Sequence, residues 1–215
     1  DDVILQDSTG GPEDVDSLID TPTNYGTDGG LGGQVRGNYC TLNPQDQLGD
    51  AISKGNLYLG THSGHRGARG TFGLTSGKWY WEYTTTTSGT SYHGVGTKFA
   101  VVNHDHGSLG DFKDYWLLHS STTAKKLMRP GAEDSSYLTS TGAPVGEIIQ
   151  VMLDMDNYKV KFGNDNTWGA EVDLASTIGS SVGSYKEIFP IAKKLSWEGY
   201  VNFGQRPFKY TAPAG

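Results

Sequence analysis

Residues Gly146 to Asn164 read GEIIQVMLDMDNYKVKFGN, and their alternation decides the fold. Ile149, Val151, Leu153 and Met155 alternate with Ile148, Gln150, Met152 and Asp154, and Val160 and Phe162 carry the alternation past Asp156-Asn157. A period of two, with β-branched and aromatic residues, predicts strand rather than helix. Asp and Asn bond their own backbone and favour a reversal at that point. The stretch therefore reads as one antiparallel hairpin.

Four further segments agree with it. Gly77-Lys78-Trp79-Tyr80-Trp81-Glu82-Tyr83 reads as a strand, and Gly94-Val95-Gly96 as its hairpin partner. Phe189-Pro190-Ile191 and Val201-Asn202-Phe203-Gly204-Gln205-Arg206-Pro207-Phe208 follow downstream. In this order the segments resemble the opening strand, central hairpin and closing strands of SPRY domains. The resemblance spans about residues 35 to 210. It implies an all-β sandwich of two antiparallel sheets over 35–212, without catalytic chemistry, preceded by an irregular acidic arm over 1–34. Strands are expected at 57–59, 72–84, 92–102, 147–154, 158–163 and 199–204. Two sheets burying one face each would be filled by Trp79 or Trp81, Val95, Val151, Leu153, Phe162, Ile191 and Phe203. Ser121–Met128 and Val172–Ile178 have room for a turn or two of helix at most.

Composition fits this reading. The 31 glycines among 215 residues, with only 19% charged, suit short strands joined by tight turns. The net charge of −7 is localised: residues 1–28 hold eight acids and no Lys or Arg, which leaves 16 acids against 17 bases elsewhere. That balance carries no electrostatic footprint for nucleic acid. No stretch approaches the ~18 apolar residues of a membrane span, and Asp1-Asp2-Val3 does not open a signal peptide. The single Cys40 rules out an internal disulfide and reads as a small buried apolar residue beside Tyr39 and Leu42.

Short patterns that invite catalysis are incomplete. His62-Ser63-Gly64-His65 and His104-Asp105-His106 offer ligand types, but a closed zinc site needs about four ligands and the clusters lie far apart. Asp154-x-Asp156-Asn157 begins like a calcium loop, yet its sixth and twelfth positions are Lys159 and Asp165 rather than Gly and Glu. Glu82 could pair with Asp154 or Glu147 as glycosidase-like carboxylates. Glu82 also matches the SPRY strand pattern, where a structural role suffices. No Gly-x-Ser-x-Gly elbow is present. The sequence calls for no metal and no cofactor.

The aromatic content suggests recognition instead, because amphipathic rings give large contact area at low entropy cost. Loops Thr61–Arg69, Asn103–Tyr115 and Arg129–Thr141 depart most from a minimal SPRY pattern. Tyr92, His93, His104, His106, Tyr115, Trp116 and Tyr137, in or beside long loops, are the binding candidates; Trp116-Leu117-Leu118 also reads as a strand. Ser17–Asn24 leads into Gly37–Pro44, and Gly37–Pro44, Ile52–Leu57 and Asn202–Pro213 are similar to SPRY-containing structural proteins of tailed bacteriophages. That similarity implies a non-catalytic, tail- or fibre-associated virion module within an oligomeric assembly. Its partner would be a host-surface glycan or a neighbouring virion protein. A carbohydrate-active enzyme on a β-sandwich is the alternative. The missing initiator Met and the Ala214-Gly215 end fit an excised module. In the arm, Val3, Ile4 and Leu5 form an apolar patch flanked by acids, which suits strand addition to a partner's exposed edge.

Overall fold

The computed structural model describes residues 39–47, 52–60, 66–102, 114–175 and 187–213. The hairpin at 146–164 forms as its alternation requires. β10 (Ile148–Asp154) pairs antiparallel with β11 (Lys159–Asn164), from Ile149 opposite Asn164 to Asp154 opposite Lys159. Asp154 makes the turn: its Oδ1 accepts the N–H groups of Asp156 and Asn157 at 3.0 Å each, and Asn157 Nδ2 donates to Oδ2 at 2.9 Å. Tyr158 then takes a positive φ of 54°, and Gly77 N–H anchors Asp156 from outside at 2.7 Å. These self-made bonds satisfy a backbone that the ladder leaves open.

Around the hairpin lie two antiparallel sheets. One contains β1 (Leu42–Gln47), β4 (Arg66–Gly70), β14 (Ile188–Lys194), β6 (Ser91–Thr97), β7 (Tyr115–Ser120), β8 (Lys125–Arg129) and β9 (Ala132–Leu138), in that spatial order. The other runs β12 (Thr167–Trp168), β11, β10, β5 (Lys78–Thr85), β15 (Gly199–Asn202), β3 (Tyr58–Leu59) and β2 (Ile52–Ser53), with β13 (Val172–Asp173) also on β11. Trp81, Val95, Val151, Leu153 and Phe162 lie between the sheets as expected, joined by Tyr83, Trp116 and Trp197. Trp79 and Phe203 are half-buried at the margin of this core.

Several expectations need correction. Ile191 packs on the outer face of the first sheet, in a second cluster with Ala100, Val102, Tyr115, Leu117 and Met128. The alternation along β14 turns Ile188 and Ala192 inward and Ile191 outward. The expected strand 72–84 begins only at Lys78, and the one at 92–102 stops at Thr97. Beyond Thr97 the chain folds over the outer cluster and is held by Arg69, which donates Nη2 to Ala100 O at 2.7 Å and Nη1 to Thr97 O. Lys125–Met128 lies in β8 rather than a helical turn, because Lys125 and Leu127 face the core in strand period. Arg129–Thr141 is no open loop: it holds β9, an edge strand that is polar over Glu133–Ser136 and buries Tyr137 and Leu138 in the core. The arm 1–34 lies outside the described residues.

Candidate recognition groove

Four of the expected binding residues belong to the core or its margins. His93, Trp116 and Tyr115 sit in strands at 0–1% exposure, and Tyr137 at 9%. His93 stacks on Tyr83 with ring centroids 4.2 Å apart and meets Trp197 edge-on at 4.5 Å. Burial among these rings, aided by the Lys125 charge, lowers its pKa to about 3. Tyr137 donates its hydroxyl to Ala170 O at 2.6 Å, and burial raises its pKa to about 12. These rings lie beside the long loops in sequence, and the sandwich buries their bodies; the strand reading of Trp116-Leu117-Leu118 is the one that holds. Tyr92 is half-buried on the outer face of β6, stacked on His119 at 4.6 Å. His104 and His106, His62 and His65, and Val3, Ile4 and Leu5 lie outside the described residues.

The carboxylates weighed for catalysis have structural duties. Glu82 is 2% exposed and accepts the Tyr80 hydroxyl at 2.7 Å and the N–H groups of Lys209 and Tyr210 at 2.7 and 2.9 Å. It straps the C-terminal segment across the outer face of β5. Glu147 pairs with the fully buried Lys125 at 2.5 Å. Asp154 makes the turn, and those hydrogen bonds, Asn157's first, hold its carboxyl below the usual range. Among the described residues no three His, Cys, Asp or Glu side chains gather as a metal set.

What the sequence did not suggest is a groove of about 530 Å³ between the margins of the two sheets. Five consecutive residues, Gly77 to Trp81, form one wall, and Tyr39, Cys40, Phe72, Leu74, Pro190, Phe203, Gly204 and Phe208 form the rest. It arises because β15 ends early. β15 pairs with β5 only from Thr85 to Glu82, while β10 pairs from Thr84 to Lys78. After Asn202 the chain turns aside: Gly204 N–H donates to Asn202 Oδ1 at 3.0 Å, and Asn202 Nδ2 reaches Arg206 O and Pro207 O at 3.1 and 3.2 Å. Gly204 has a φ of +108°, and a Cβ there would meet the Tyr39 ring at 3.3 Å. Glycine thus permits the turn and keeps the wall open.

Lys78 to Trp81 therefore have a strand neighbour on one side alone among the described residues. Which groups face the groove follows from the ladder. Thr85 exchanges bonds with Glu147 O and Gly146 N–H, toward β10. By strand alternation Tyr80 and Lys78 point their N–H and C=O the other way, into the groove. The walls are fixed in advance. Trp79 Nε1 donates to Ser76 O at 2.7 Å, Gln150 Nε2 donates to the Tyr80 hydroxyl at 3.0 Å, and Phe208 meets Tyr80 edge-on at 4.8 Å. Cys40, 7% exposed as its reading as an apolar residue requires, has its thiol pKa raised by burial to about 11 and is no ready nucleophile. Among the described residues of the wall the one cation is Lys78, at the rim 3.6 Å from Asp154.

No protein-family model matches this chain, and no curated protein does. Solved structures do. The chain is similar to the SPRY domain of human HERC1 with a TM-score of 0.54 and 18% identity, over 74% of this chain and 94% of that one. It is similar to the TRIM65 PSpry domain with a TM-score of 0.53 and 10% identity, over 77% and 88%. At these identities the likeness concerns the fold, and the fold is a SPRY sandwich.

Proposed function

We propose that this chain is a non-catalytic protein-recognition module that binds an extended peptide segment of its partner in the groove beside β5. The free edge of Lys78–Trp81 carries the reading: its N–H and C=O groups are spaced to bond another backbone, while the aromatic walls receive side chains. Such an edge suits a polypeptide better than a glycan, whose hydroxyls do not repeat with strand spacing. The partner is then a neighbouring virion protein. The setting in a tailed-phage particle rests on the similarity of Gly37–Pro44, Ile52–Leu57 and Asn202–Pro213 to tail-associated structural proteins.

Titration with overlapping peptides from the other structural proteins of the particle tests this, with wild type beside Trp79→Ala. Binding by at least one peptide, weakened about tenfold or more in the variant, is the expected result. Glycan binding with every peptide silent would overturn the assignment. So would polysaccharide hydrolysis by the same material.

A further inference from the structure

Away from the groove, one buried cluster holds more groups than a charge pair needs. Lys125, Glu147 and Asn164 are 0%, 3% and 6% exposed. Lys125 Nζ lies 2.5 Å from Glu147 Oε1, and Asn164 Nδ2 donates to the same oxygen at 3.0 Å. Sharing one acceptor keeps the amine and the amide nitrogen close together. On its other side the amide is polarised, because Ser140 Oγ donates to Asn164 Oδ1 at 3.1 Å. We propose that Lys125 and Asn164 join in an intramolecular amide bond, a cross-link from β8 of one sheet to β11 of the other, with Glu147 as the proton relay.

Amine attack on an amide carbon needs a deprotonated nucleophile, a stabilised oxyanion and a protonated leaving nitrogen. Glu147 Oε1 touches both nitrogens, so it is placed to take protons from one and give them to the other. Ser140 O–H already donates to the oxygen where negative charge would collect. Ser120 Oγ accepts from Nζ at 2.7 Å and donates to Glu147 Oε2 at 3.0 Å, which holds the carboxylate beside the amine. Gly142 O accepts a further Nζ proton, and Asn164 Nδ2 also reaches Ile148 O at 3.4 Å. A near-attack contact is about 3–3.5 Å, within the sweep of the flexible Lys stem. Leu138, opposite Lys125 in the ladder, and Phe162, on β11 with Asn164, belong to the core and keep water out. In the reaction Nζ gives up two of its three protons and bonds to Asn164 Cγ. Glu147 relays both protons to Nδ2, the Cγ–Nδ2 bond breaks, and that nitrogen leaves as ammonium. Nothing is oxidised or reduced, and Glu147 ends as the carboxylate it began as. The ion pair in the structure is the state before this bond forms. Once made, the amide replaces a buried charge with a neutral link and closes a chain loop that unfolding cannot open.

Intact-mass measurement on the full chain tests the cross-link. Wild type should be lighter than its sequence by about 17 Da, the mass of ammonia. A digest should then contain one branched peptide that joins Lys125 to Asn164. Lys125→Met and Glu147→Gln should keep the mass of their sequences. Asn164→Asp should still join, now by losing water, about 18 Da. Wild-type protein at its full sequence mass after prolonged incubation at neutral pH would overturn the proposal, whether or not the variants fold. So would the same loss of ammonia without the branched peptide, since an asparagine can also lose ammonia to its own backbone. A link formed equally in Glu147→Gln would overturn the relay assigned to Glu147.

Discussion

The two ends of β5 solve the same problem in opposite ways. At Thr85 the space between the sheets is closed by a polar cluster. Lys125 is fully buried and donates to Ser120 Oγ at 2.7 Å, to Gly142 O and to Glu147, which also accepts from Ser120 Oγ and Asn164 Nδ2 at 3.0 Å. At Lys78 the space is apolar and edged by a stretch of strand with a neighbour on one side alone among the described residues. The closed end joins β8 of one sheet to the start of β10 in the other. It holds the sheets in register, while the open end leaves the rings of Trp79 and Tyr80 half-covered. A buried charge that is fully bonded fixes geometry, whereas a half-covered aromatic surface gains free energy only when something covers it.

The sharpest way to break this contrast is at the closed end. Glu147→Ala strands the Lys125 ammonium in the core and should cost about 3–5 kcal/mol in urea unfolding. Adding Lys125→Met should restore much of that loss, because the charge goes with its partner. A smaller effect comes from pH. His93 is neutral in the fold with its pKa lowered to about 3, against 6.5 when unfolded. The unfolded chain therefore binds the extra proton first, and stability falls as pH drops from about 6.5 toward 3. Between pH 7 and 5 this group alone removes about 2 kcal/mol, and His93→Phe should flatten the profile by that amount.

At the open end the cost to folding should be lower. Trp79→Ala removes a half-buried ring and should cost about 1–2 kcal/mol, below the ~3–5 of a fully buried Trp, while sharply weakening peptide binding. A loss above that range would show that Trp79 serves the core rather than the groove. The smallest effect is at the turn. Asp154→Ala removes acceptors for two backbone N–H groups and should cost about 1 kcal/mol, read in the same unfolding experiment.

Much of the sandwich was legible in residue order. Strict alternation at 148–154 and 159–164, with Asp154 and Asn157 to reverse the chain, left one arrangement open to the hairpin. Val95 declared its inward face in the same way, while the choice between Trp79 and Trp81 stayed open until the structure placed Trp81 in the core and Trp79 at its margin. Ile191 did not, because a strand with apolar residues on both faces gives no sign of which face meets the other sheet. The binding residues misled for a related reason. Trp116 and His93 carry polar atoms that suggest surface, yet the rings around them bury them wholly.

Sequence by itself determined the class of fold and the turn chemistry, both of which depend on neighbours along the chain or on period two. Only tertiary structure decided where the site lies. The groove exists because β15 stops at Asn202, opposite Glu82, while β10 runs on to Asp154, opposite Lys78. That offset joins strands far apart in sequence, and no local pattern in either one encodes the length of the other.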